Sequence, residues 1–138
     1  MPRTRKTAAA DRIERQARKV LASRKAEDAV VEYLQAQGFD IAARNLRLGH
    51  LEIDIVGLRD GLAVLVEVRT RGATAYEKPL ASVAGKKRMR LLHAADRLWR
   101  GHLSKRPDVA RMRIDVAGVT FSPDGSPHVE YIPGAITA

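Results

Sequence analysis

The chain has 138 residues, 45% hydrophobic and 30% charged, with a formal net charge of +9 and no cysteine. That length suits one domain with its own core, and the missing cysteines exclude a disulfide framework or a thiolate metal site. No apolar run approaches the roughly 20 residues of a membrane span and the basic N-terminus lacks an apolar h-region, so a cytoplasmic protein with no membrane partner is expected, its excess charge pointing to a polyanion.

Residues 1–23 read as a basic N-terminal arm, partly helical or disordered, with residues 1–7 disordered. Residues 1–25 hold nine Lys and Arg against only Asp11 and Glu14. Such an arm suits phosphate contact; the plain alternative is a solubilising tail. Aromatic residues make up only 4%, which argues against recognition by stacking bases on an aromatic platform. From Thr7 to Gln37 there is no Pro or Gly. Ile13, Ala17, Val20 and Leu21 form one helical stripe, and Ala26, Ala29, Val30, Tyr33 and Leu34 a second. Gly38 offers a C-cap. One long helix and two helices broken near Ser23 both fit; the break is favoured, with the second helix opening a domain of residues 24–138. Glu27 lies beside the second stripe, where it is either solvated or aimed at a sheet edge to complete an acidic triad.

Phe39 to Leu48 reads as a first strand. Two more flank Asp60-Gly61, and Asp-Gly between β-prone apolar runs is a strong hairpin signal. An even loop centred there pairs residues whose numbers sum to 121. Asp54 then faces Glu67, and Glu52 faces Arg69, all four on one side. Leu51, Ile53, Ile55, Val64, Val66 and Val68 form the opposite, core side. Like charges directly opposite are destabilising. A divalent cation is the expected compensation, with Asp54 and Glu67 as ligands of Mg²⁺ or Mn²⁺; the alternative is neutralisation by Arg69 or another cation. Glu52 and Arg69 are expected to form a cross-strand ion pair, with Arg69 emerging where it can meet phosphate or stabilise developing charge.

A loop over 71–81 precedes a helix from Gly85 to Leu103, with Leu91, Leu92, Ala95, Leu98 and Trp99 on its buried side. Lys86, Lys87, Arg88 and Arg90 start this helix, where cations oppose the macrodipole. Their accumulation points to an anion there, or to a generic basic surface. Arg71, Lys86, Lys87 and Arg88 are the candidate nucleic-acid contacts. Met112 to Phe121 reads as a strand, Ser122 to Gly125 as a turn, and His128 to Ile132 as a short last strand. His50, His93, His102 and His128 lack metal-ligand spacing and read as structural or exposed. The α-β-β-β-α-β order implies an α/β fold, a mixed sheet flanked by helices.

Leu51-Glu52-Ile53-Asp54-Ile55 and Val66-Glu67-Val68-Arg69-Thr70-Arg71 resemble the GEIDLI and FVEVKTR signatures of the YraN-like family, small bacterial proteins with a restriction-endonuclease-like fold. Ala26-Glu27, Tyr33-Leu34, Arg44-Asn45-Leu46-Arg47, Ser82-Val83 with Lys87, and Arg113-Ile114-Asp115-Val116 extend the resemblance over roughly residues 24–132. The wider superfamily uses a D…(D/E)xK arrangement for metal-dependent phosphodiester cleavage. The resemblance implies Asp54 and Glu67 as metal ligands, Glu27 as a helix-borne acid, and Arg69 in the place of the motif lysine. Arginine keeps the charge, which suffices for electrostatic stabilisation, but it cannot lose a proton near neutral pH; where the chemistry needs that proton exchange, this copy is weak or inactive unless Lys87 substitutes from the helix. A metal-dependent endonuclease acting on DNA is the expectation. A nuclease-fold module that binds without turnover, and an RNA- or ribosome-associated factor using the basic arm, are the alternatives.

Overall fold

Thr7 opens the first helix: its side-chain oxygen accepts from the Ala10 N–H at 3.1 Å, satisfying one of the donors a helix start leaves unpaired. In the computed structural model, which describes residues 7–72, 80 and 82–137, this helix, α1, runs unbroken over Ala8–Ala36. The expected break at Ser23 is absent, because Ala, Arg, Lys, Glu and Gln carry the helix through with no Gly or Pro to stop it. What changes along α1 is its surroundings. Ala26, Glu27, Ala29, Val30 and Leu34 are buried, whereas Ile13, Val20 and Leu21 are 70%, 41% and 54% exposed. The first half projects beyond the sheet. The extreme N-terminus of the basic arm and most of the 71–81 loop lie outside the described residues.

Five strands follow: β1 (Asp40–Leu48), β2 (Leu51–Arg59), β3 (Leu62–Thr70), β4 (Arg111–Phe121) and β5 (Pro127–Ile136), forming one sheet in that order. All neighbours are antiparallel except β3 and β4. That parallel pair needs a long crossover, which α2 (Gly85–Gly101) supplies before a short 3₁₀ turn at Leu103–Lys105. The architecture is the expected mixed sheet flanked by helices, with α-β-β-β-α-β order and β5 added at the edge. β5 is twice the expected length. Pro133 sits within it because an edge strand tolerates the missing donor, and Gly134, at φ +63°, gives its N–H to the Asp115 carboxylate at 2.8 Å.

The hairpin register is the predicted one. Ile55 pairs with Val66, Val56 with Leu65, and so on to Arg59 with Leu62. Asp60 and Gly61 take φ +48° and +80°, the two left-handed positions of a type I′ turn. The single core side predicted for these strands is not observed. Leu51 and Ile53 pack with Val56, Ala63 and Leu65 under α2. Ile55, Val64 and Val66 pack with Val30 and Leu34 under α1. Side chains of β2 therefore change sides at Asp54. The pairs Arg44↔Ile55 and Leu46↔Ile53 bracket this point, and between them on β1 lies Asn45 with φ +49°. A left-handed residue twists its strand sharply, and β2 follows its partner through the twist.

Candidate active site

The paired stretch of β2 and β3 ends at Ile55↔Val66, so the strands part where Asp54 and Glu67 emerge. Asp54 bridges the parting by accepting the Val68 N–H at 2.8 Å. Its carboxyl is pushed up from 3.8 to about 7, first by burial and then by the neighbouring charge of Glu67. The Val68 bond opposes that rise, and the Glu27 charge adds to it. Glu67 is 8% exposed, and its Oε1 lies 2.6 Å from Lys87 Nζ. Both acids and Lys87 line a cavity of about 390 Å³, with His50, Glu52, Arg90 and Leu91 around them.

Glu27 is 7% exposed and reaches the sheet from α1. Asn45 donates its side-chain N–H to Glu27 Oε2 at 3.2 Å. Arg44 lies 3.8 Å from the same oxygen and 2.7 Å from Asp28. Glu27 acts on Asp54 through its charge but lines a neighbouring groove rather than the cavity. Among the described residues no three His, Cys, Asp or Glu side chains gather tightly enough to enclose a metal. Glu52 also lines the cavity but is paired with Arg47 at 3.9 Å, so the donor set offered to a cation is Asp54 and Glu67. That set fits Mg²⁺ or Mn²⁺, hard cations content with one or two carboxylates while keeping waters.

The cations are arranged differently from the linear motif. Arg69 donates to the Leu80 and Ser82 carbonyls at 3.4 and 3.3 Å, anchoring the chain that leads into α2. The expected Glu52–Arg69 pair is absent. Glu52 lies in register with Arg47 of β1 and its ion pair is there, at 3.9 Å, because β2 has already left β3. Of the candidate phosphate contacts, Lys87 alone lines the cavity. Arg88 donates to the Thr137 carbonyl, and Lys86 is exposed outside the cavity. Arg71 gives its backbone N–H to Val119 at 2.8 Å and lays its stem over Gly118. Two lining residues were not among the candidate site residues: Arg90, read only as part of the basic helix start, and His50, read as structural or exposed. Arg90 stands three residues beyond Lys87, hence on its helix face. His50 follows Gly49, whose φ of +68° makes the tight β1–β2 turn; a Gly-X pair between strands is the signal that placed it there.

Among the described residues no helix is long and apolar enough to cross a membrane. Residues 26–119 match a family model described as "Uncharacterised protein family UPF0102". A UPF0102 protein of Sorangium cellulosum is 52% identical over 120 residues, 86% of this chain and 82% of that protein. Another, from Clavibacter michiganensis subsp. michiganensis, is 37% identical over 112 residues, 81% of this chain and 92% of its own. Among solved structures, Pyrococcus furiosus SfsA in complex with Ca²⁺ is similar at a TM-score of 0.45 and 15% identity, over 87% of this chain and 65% of that one. This chain belongs to the UPF0102 family, the YraN-like proteins whose signatures its second and third strands carry.

Proposed function

We propose that this protein hydrolyses phosphodiester bonds in nucleic acid, DNA foremost, with Asp54 and Glu67 holding Mg²⁺ or Mn²⁺. The observation that carries the reading is the largely buried Asp54 carboxyl, held beside Glu67 in an open cavity and pushed up to about 7. A fold tolerates two such acids at the parting of two strands when something positive is meant to join them. When bound, the cation would polarise a phosphoryl oxygen and offset developing negative charge. Lys87 brings an ammonium to the same acids and would stand against the charge that builds on the phosphate. It thereby takes the part the resemblance gives to position 69. Arg90 and His50, at the cavity wall, would hold the flanking backbone. Glu27, fixed by Asn45, keeps a further negative charge behind Asp54.

The test is purified protein with Mg²⁺ or Mn²⁺ on linear, nicked, flap and four-way DNA, beside Asp54→Asn. Cleavage by the wild type and a loss of roughly 10²–10³ in the variant are expected. No cleavage of any substrate with either metal would overturn it. One observation favours a second reading, a binding module without turnover. The Lys87 ammonium already sits 2.6 Å from Glu67, so one acid is balanced without a metal. Metal titration separates the two: a module of this kind shows no Mg²⁺- or Mn²⁺-dependent rise in its melting temperature.

A further inference from the structure

We propose that the inward side of the projecting half of α1 is one wall of a groove that carries a phosphodiester backbone into the Asp54–Glu67 cavity. This rests on the nucleic-acid reading above and adds the path of the strand. Leu34, Val30 and Ala26 form the buried stripe of α1. Continued at three- and four-residue steps, that same side presents Ser23, Lys19, Gln16 and Arg12, all exposed. This side turns polar and cationic where the sheet ends, while the apolar stripe of Ile13, Val20 and Leu21 is offset from it around the helix, with Val20 at the groove edge.

A groove of about 470 Å³ lies between this side of α1 and the β1–β2 ribbon, with Lys19, Arg24 and Arg47 on its walls. Glu52 lines both this groove and the cavity, so the two meet there. The acids along the path are held within the protein, Glu27 by Asn45 at 3.2 Å and Glu52 by Arg47 at 3.9 Å. Cations therefore flank the acidic pair from two directions, Lys87 and Arg90 on one and Lys19 and Arg24 on the other. Arg12 and Lys19 are seven residues apart, about 10 Å along the helix. That spans about three phosphates at roughly 3.4 Å per nucleotide of one strand.

The test exploits the two sides of one helix. Arg12→Glu/Lys19→Glu reverses Lys19 on the groove wall and Arg12 seven residues further along the same side of the helix. Arg18→Glu/Lys25→Glu, also seven residues apart and exposed, makes the same charge change on the far side. Binding of labelled DNA and RNA oligonucleotides of one sequence is followed by fluorescence anisotropy in EDTA across a salt series, with circular dichroism checking helix content. The groove-side pair is expected to weaken binding at least about tenfold and to flatten the salt slope by about two. The far-side pair is expected to change affinity less than about threefold. Milder Arg12→Gln/Lys19→Gln should reproduce the difference if the reversal perturbs the helix. Whichever polymer shows the larger groove-side loss is the backbone the groove carries. Equal losses from both sides, or none from the groove side, would overturn the groove. Because EDTA removes catalysis from the readout, side-selective binding without cleavage overturns only the catalytic reading.

Discussion

Asp54→Asn should stabilise the protein while removing its activity, and the stabilisation should depend on pH in a defined direction. Asp54 has an ordinary value of 3.8 and a folded value of about 7, raised by burial and by Glu67. Between those values the folded chain binds a proton that the unfolded chain has lost. Stability therefore falls as pH rises through this window. The gap corresponds to a ceiling of roughly 4 kcal/mol, and because solvent reaches part of the carboxylate, about 1–3 kcal/mol is the expected share. Asparagine has no charge to bury. Its oxygen can keep the Val68 N–H, 2.8 Å from Asp54 in the wild type, and its amide can donate to Glu67. In urea unfolding with EDTA, wild type and variant should agree near pH 4 and diverge up to pH 8, the variant the more stable. Mg²⁺ should then stabilise the wild type and not the variant. An offset that does not vary with pH, or a variant weaker than wild type at pH 8, would refute the reasoning.

Lys87→Ala should cost roughly 10²–10³ in metal-dependent cleavage and lower stability by about 1–3 kcal/mol, because Glu67, 8% exposed, loses its partner; unchanged turnover would return the role to another residue. Arg69→Lys should not raise cleavage and should lower stability by about 0.5–1.5 kcal/mol, because a lysine cannot reproduce the contacts to Leu80 and Ser82; faster cleavage would restore position 69 to the chemistry. Asp115→Ala should cost about 3–5 kcal/mol in urea unfolding, as removing one partner of a buried ion pair does. It would strand Arg113, which makes two bonds to Asp115 at 2.7 and 2.9 Å, along with Tyr131 and the Gly134 N–H. Gly118→Ala should destabilise by about 1–3 kcal/mol through overpacking, its new Cβ falling 2.9 Å from both Leu80 methyls; an unchanged midpoint would show that Leu80 yields freely.

The parts of the fold legible in the sequence are those fixed by short-range chemistry. Asp60-Gly61 dictates a turn, the turn dictates the 121 register, and the register brings Asp54 and Glu67 to one place. What was missed depends on neighbours remote in sequence. The change of sides at Asp54 is imposed by Asn45 on the adjoining strand, and nothing within β2 announces it. The continuity of α1 was obscured because its two apolar stripes look like two helices, whereas only the second has a sheet beneath it. β5 runs through Pro133 and Gly134 because Asp115 on β4 takes the Gly134 N–H. That contact also gives Arg113-Ile114-Asp115-Val116 a structural meaning: Asp115, fully buried, ties the edge strand to the sheet.

Position 69 and position 87 illustrate the difference between a motif and a site. A linear motif locates the cation two residues past Glu67, where alternation puts it on the same side of β3. Arginine there is long enough to pass the acids and reach the Leu80 and Ser82 carbonyls, so its charge goes to holding the connection into α2. With the helix start at Gly85, Lys87 falls in the first turn, and its flexible stem delivers a compact ammonium to Glu67. Arginine suits the first task, since its long side chain brings the two N–H groups of Nη1 to both carbonyls; lysine suits the second, since a point charge fits beside a carboxylate. The two substitutions should therefore act independently. Exchanging them, Arg69→Lys with Lys87→Arg, should not restore what either change alone removes, because each cation is matched to its own partner rather than to a shared net charge.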